Sequence, residues 1–337
     1  MQGFAARHPF WALVIIVVAA ALIWLVFAPW PDALEDLIGR KKVFLNAVIG
    51  GITLGALYFL VAAGFTLIFG LMRNVNLAHG SLYLVGGYLG FEVAEATGLW
   101  LLAFPVVFVI VGAFGLLLQN QVFRRMEGEE LRQTMVTIGI SVVMADLMLW
   151  IWGAQSYTLI TPEWIAGPAT LPIISAVKSN GELVYLKFPA VRVAIFFAAL
   201  VIGVAMWLVL NRTRLGMLVR AGVDDRDMLQ ASGVRIQYVF LAVFAFGAGL
   251  AGMGGIVGGT FQSLTPGEDT RYLLASLVVV IVGGMGSIPG AAIGALIIGL
   301  SEQIGVVYAP TYSVVFTFLI MAVVLAFRPQ GLLGARL

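Results

Sequence analysis

The sequence predicts an all-α, polytopic integral membrane protein with about 8–10 transmembrane helices, including interrupted or re-entrant segments. Three observations predict it. Of 337 residues, 61% are hydrophobic and 11% charged, and the mean hydropathy is +1.03, values that exclude a soluble domain and a disordered chain. Apolar runs of about 20 residues, long enough to cross a hydrocarbon core, recur along the whole chain. Two polar or Gly-rich breaks, Arg73-Asn74-Val75-Asn76-Leu77-Ala78-His79-Gly80-Ser81 and Gly283-Gly284-Met285-Gly286-Ser287-Ile288-Pro289-Gly290, lie between such runs. Irregular backbone at membrane depth is tolerated only where it meets other protein or lines a cavity.

The first run, 10–27, follows Arg7 and ends in Ala28-Pro29-Trp30-Pro31. It exceeds the roughly 7–15 residues of a signal-peptide core and lacks an A-x-A cleavage pattern, so a retained span is expected. Runs 44–72 and 75–93 flank the first break, and 99–123 and 134–153 follow. The connection 154–189 carries Pro162, Pro168, Pro172 and Pro189, with Asn180-Gly181 between Ile173-Ile174 and Leu183-Val184-Tyr185, which predicts a small β-hairpin. Run 191–210 leads into 212–237, where Met217, Leu218, Met228 and Leu229 give an apolar side to a short helical pattern ended by Gly233. After 238–259, the runs 273–286 and 288–307 flank the second break as two short spans or a re-entrant pair, and 311–327 closes the membrane part.

Orientation follows from Lys and Arg. With 212–237 in the cytoplasm, that side receives twelve of the nineteen basic residues, and both termini fall inside. Arg40-Lys41-Lys42 opposes this bias, and Asp32, Glu35 and Asp36 beside it offset the trio locally.

Composition also bounds the chemistry. Cys is absent and His occurs only at His8 and His79, so neither a disulfide framework nor a His/Cys metal site is possible. A formal charge of +2 without interleaved basic and aromatic residues does not suit nucleic acid. No G-x-x-x-x-G-K-[ST] loop is present, so the chain has no cradle for ATP and any ATP-derived energy must come from another subunit.

Two interrupted runs, one in each half, are the sequence pointer to a transporter's midplane site. A zwitterion crossing the membrane needs groups that replace its lost hydration, and Asn74, Asn76, His79 and Ser81 in the first break, with Ser287 in the second, are candidates for that route. Gly283 and Gly284 would leave room for solute beside it. The competing reading is an ordinary loop at 73–81, with His79 only fixing the break, and a Gly-rich packing interface at 283–290. Asp146 and Glu302 are carboxylates within apolar runs. They would be proton carriers in a proton-driven transporter, whereas structural pairing is the simpler reading for Glu302. An intramembrane enzyme using His79 lacks a convincing nucleophile or metal set.

The Asn76-Leu77-Ala78-His79-Gly80 element, the spacing of Arg214, Gly216, Arg220, Asp225 and Gly233, the 283–290 stretch and the closing Arg328-Pro329-Gln330-Gly331 together resemble a branched-chain amino acid ABC transporter permease of the Liv type. The resemblance implies a single ABC importer transmembrane domain over 1–337. Within it, 10–27 would be an extra N-terminal helix, 45–334 the permease core, 154–189 a periplasmic loop and 212–237 a cytoplasmic coupling loop. The implied location is the bacterial inner membrane. The implied partners are a second related permease, two cytoplasmic ATPase subunits, a periplasmic solute-binding protein and membrane lipid. ATP and Mg would be used by the ATPases, with no cofactor on this chain. Arg214, Gly216, Arg220, Asp224, Asp225 and Gly233 would carry the coupling contact. The implied cargo is a branched-chain or other hydrophobic amino acid, with urea, amides or aromatic acids as the alternative. Met217-Leu218, where a basic-small pair is common, and Ala145-Asp146, where Gln-Asn is frequent, depart from the pattern.

Overall fold

The computed structural model describes residues 30, 35, 40–72, 75–177 and 182–334. The expected span 10–27 and Asn74 lie outside the described residues.

The helices form because long apolar stretches with few breakers satisfy their own backbone groups. Among the described residues they are α1 (Lys41–Met72), α2 (His79–Thr97), α3 (Trp100–Gln121) and α4 (Glu130–Trp152). After the strands β1 (Pro168–Val177) and β2 (Leu183–Pro189) come α5 (Ala190–Arg212), α6 (Arg214–Asp224), α7 (Arg226–Ala231), α8 (Ile236–Phe261), α9 (Glu268–Gly283), α10 (Ile288–Tyr308) and α11 (Ser313–Phe327). Seven helices among the described residues are long and apolar enough to cross a membrane. The strands pair antiparallel from Pro168↔Pro189 to Val177↔Leu183, so the predicted hairpin is present.

The centre is built from α1, α8 and α10, with α2 and α3 wrapped against α8. Over their most apolar stretches α1 is 89% buried and α8 72%, against 17% for α4 and α5 and 11% for the segment ending in α11. Close backbone approach makes this centre possible. Gly64 on α1 faces Gly247 on α8, and Gly55 on α1 faces Gly299 on α10, so closely that any Cβ would collide with the opposite backbone. Small residues are the usual means by which membrane helices gain contact, because lipid tails compete with larger apolar side chains.

These contacts also set the ends of the bundle. Gly50 lies against Gln303 and Gly70 against Gly286, so α1 and α10 run antiparallel and the end of α1 meets the second break. Gly222 of α6 touches Leu71 at that same end. The hairpin precedes α5 and α6 follows it, which sets the hairpin and α6–α7 at opposite ends of one span.

Candidate functional site

The described part of the first break, 75–81, is short and largely buried. The Asn76 side-chain oxygen accepts from the Ala78 N–H at 3.1 Å, and the His79 N–H donates to the Asn76 carbonyl at 3.2 Å. This local turn competes with helix and starts α2 at His79 rather than near Val75, where the apolar run begins. Thr137 Oγ1 on α4 accepts from the Leu77 N–H at 3.2 Å. His79 is 0% exposed, and its Nε2 lies 3.0 Å from the Val61 carbonyl. A carbonyl only accepts, so Nε2 carries the proton in this arrangement. His79 Nδ1 and Asn76 Nδ2 are buried without a hydrogen-bond partner. The Ser81 hydroxyl lies 3.1 Å from Ser141 Oγ and donates to Asp269 Oδ2 at 3.3 Å. The break is therefore stitched to α1, α4 and α9.

At the second break the room expected beside Gly283 and Gly284 is taken by the chain's own backbone. A Cβ on Gly283 would strike Gly290, and one on Gly284, whose φ is +108°, would strike Gly334. The N–H groups of Leu332 and Leu333 donate to the carbonyls of Val282 and Gly283 at 2.9 Å, which fastens the tail over the end of α9. Ser287 Oγ accepts from the Gly290 N–H at 3.1 Å and caps α10. The glycines thus serve close packing. Nor do the two breaks face each other across a path. Gly80 packs on Asp269 and Leu273 near the start of α9, while Gly283 ends it, so about 15 Å of helix rise separates Leu273 from the second break. Linear sequence marks both segments as unusual, but it carries no information on how the intervening helix crosses the bundle.

The open space lies elsewhere. A groove of about 360 Å³ between α1, α5 and α10 is lined by Ala56, Phe59, Phe196, Trp207 and Leu296, among other apolar residues. A second cavity, of about 510 Å³, shares Trp207, Ile288 and Pro289 with the groove. It adds Thr66, Asn211, Arg220 and Ser287. Among the described residues, Ser287 is the one expected along a route that lines this space, together with Arg220 from the expected coupling set. The wall supplied by α5 carried no sequence signal, because an apolar residue facing a groove reads like one facing lipid.

The expected coupling residues build a compact feature at the α6–α7 end. Thr213 Oγ1 accepts from the Gly216 N–H at 3.2 Å, and Gly216 sits against the Leu210 backbone where a Cβ would collide. Arg220 donates to the Leu210 carbonyl and to Asn211 Oδ1 at 3.2 Å, tying α6 to the end of α5. Asp225 Oδ1 accepts from the Met228 N–H at 2.9 Å and caps α7, and Gly233 ends the unit with φ +82°. Val219 and Leu229 are buried in a cluster with Leu67 and Leu71 of α1. Leu215, Met217 and Met228 are exposed, as is Arg214. Asp224 is the last residue of α6.

A further polar cluster was not assembled by sequence reasoning. The Tyr58 hydroxyl donates to Glu302 Oε2 at 2.6 Å. Arg271 Nη2 donates to Glu302 Oε1 at 3.1 Å, and its Nη1 lies 3.5 Å from Glu268 Oε2. The Tyr83 and Tyr272 rings are 4.2 Å apart. Glu302 was legible as an odd carboxylate, whereas Tyr58, 244 positions away, gave no sign of being its partner.

Residues 47–325 match the family described as branched-chain amino acid transport system / permease component. The chain is 26% identical to the high-affinity branched-chain amino acid transport system permease protein BraD of Pseudomonas aeruginosa, over 86% of this chain and 96% of that protein. It is 27% identical to LivH of Escherichia coli K12, a permease protein of the same description, over 86% of this chain and 96% of LivH. It is 25% identical to LivM of the same organism, over 83% of this chain and 68% of LivM. No solved structure gives a significant match. With the helical bundle and a family match over most of its length, the chain belongs to the family of branched-chain amino acid transport permease components.

Proposed function

We propose that this permease is the membrane subunit of an ATP-driven importer that takes up branched-chain or other hydrophobic amino acids handed over by a periplasmic binding protein, with both termini in the cytoplasm. Two ATPase subunits supply the energy, and a related permease completes the membrane part. The observation that carries this reading is the physical link between the route and the coupling feature. The groove is apolar along α1, α5 and α10 and becomes polar where Thr66, Asn211, Arg220 and Ser287 line its continuation. A solute with an apolar side chain and a charged backbone needs both environments. Arg220 belongs to that polar end and also braces α6 against α5, so movement of α6–α7 reaches the cavity wall directly. Exposed Leu215, Met217 and Met228 are the surface on which an ATPase subunit would push.

Proteoliposomes holding the permease pair, the ATPases and the binding protein test this reading. ATP-dependent uptake of leucine is expected. Ala292→Trp, at an exposed position lining the groove, should sharply lower uptake while the assembled complex survives, because the added ring fills the groove. Gly233→Val places a β-branched residue at positive φ and should leave ATP hydrolysis running without uptake. Uptake that persists without ATP but follows an imposed proton gradient would sink the proposal.

A further inference from the structure

Asp146 sits on α4 about 9 Å of rise before the helix ends at Trp152. On a helix its surface neighbours are the residues three and four positions away. These are Val142, Val143, Leu149 and Trp150, exposed by 56%, 58%, 44% and 82%. Asp146 is itself exposed, and among the described residues it has no hydrogen bond or ion pair. A carboxylate therefore stands in an apolar patch within a membrane-spanning helix. Acyl chains offer it no donor, and a side chain one methylene long cannot reach the headgroups as Lys or Arg does.

A second feature marks the same face. Gly139, two turns earlier, is exposed, and a Cβ added there would meet nothing within 4 Å. Inside this chain the glycine has no packing role, yet a bare backbone on a lipid-facing stripe is what lets another helix approach closely. Gly139, Val142, Val143, Asp146 and Trp150 recur at helical spacing, while Thr137, Met144 and Met148 point into the bundle.

We propose that this stripe of α4 is the contact face for a transmembrane helix of the second permease subunit, which presents a hydrogen-bond donor to Asp146. The proposal rests on the paired-permease reading above. An ATPase or a binding protein works in water and cannot reach this depth, so the occupant is a membrane-embedded helix, and an adduct from Val143 to this chain's own 10–27 segment would overturn its assignment to a partner. A symmetric α4–α4 contact between two copies would set carboxylate against carboxylate, so the facing helix is one of a related subunit bearing Arg, Lys, Asn or Gln at that level.

A photoreactive benzoyl-phenylalanine at Val143, with one at Leu319 of α11 as the control, tests this in the complete complex assembled in native membranes. Ultraviolet light should join Val143 to the second permease and leave Leu319 joined to lipid alone. Asp146→Leu should lower recovery of the second permease with this chain about three- to tenfold, the scale of one hydrogen bond between membrane helices. Asp146→Asn, which keeps an acceptor, should restore most of it. Adducts from Val143 to lipid only, with full recovery in Asp146→Leu, would overturn the assignment. Fast reaction of Asp146→Cys with a charged, impermeant thiol reagent would place the position in water and overturn it too; the chain has no other cysteine to confuse the result. If the wild-type complex contains no second permease at all, the paired reading itself fails, a result distinct from a wrong face on a real pair.

Discussion

Glu302 and Asp146 both interrupt long apolar helices, yet the two sites receive opposite treatment. Glu302 lies on α10 in the glycine-lined centre, where its carboxylate is held by Tyr58 at 2.6 Å and Arg271 at 3.1 Å. Asp146 lies on α4, only 17% buried over its most apolar stretch, among exposed Val, Leu and Trp. A buried carboxylate is stable only when donors replace its water. The first acid is complete within one chain, whereas the second meets no donor among the described residues. The difference sets a self-sufficient centre of α1, α8 and α10 against a periphery in which, among the described residues, one carboxylate stands without a donor.

The strongest way to break that division is to disturb the centre where backbones touch. Gly283→Leu must displace Gly290, a collision between two backbones that no rotamer change relieves. Loss of most monodisperse protein on size-exclusion chromatography is expected, whatever the partners do; normal recovery would show that the second break is looser than its geometry implies. Next in size is Glu302→Leu, which leaves the Tyr58 hydroxyl buried without an acceptor. A cost of about 2–3 kcal/mol is expected, toward the lower end for an ion pair because the Arg271 side chain is 44% exposed and so partly screened. Thermal unfolding of the isolated chain in detergent checks it. Tyr58→Phe removes one hydrogen bond and should cost about 1 kcal/mol in the same assay. A Tyr58 effect equal to that of Glu302 would mean that Arg271 contributes nothing.

Element existence was legible in the sequence, because length and hydropathy alone mark a span. Which spans are central was not. Helices α1 and α4 are both apolar enough to cross a membrane, yet one is 89% buried and the other 17%. Lipid and protein interiors select the same side chains, so hydropathy cannot separate them. Glycine content was the available clue: α1 and α8 carry Gly where backbones meet, whereas Gly139 on α4 meets nothing. The polar breaks were equally visible as anomalies. Their roles depended on partners far away in sequence, Val61 and Asp269 for the first and the 331–334 tail for the second, and no local pattern encodes those. The helical pattern at 212–233 was the most legible of all, because caps such as Asp225 and terminators such as Gly233 act within a few residues.

The smallest expected effect is the most informative for the comparison. Asp146→Leu changes a side chain that touches no donor among the described residues, so the isolated chain in detergent should unfold within about 0.5 kcal/mol of wild type, as surface substitutions do. A slight gain is the expected sign, since leucine matches the apolar neighbours Val142, Val143, Leu149 and Trp150. Set beside Glu302→Leu in the same assay, the pair isolates location from chemistry: the same type of replacement, in helices of similar character, costs several-fold more where donors converge. If Asp146→Leu instead destabilises the isolated chain as strongly as Glu302→Leu, the carboxylate has a partner within its own subunit. The boundary between centre and periphery would then have to move outward to include α4.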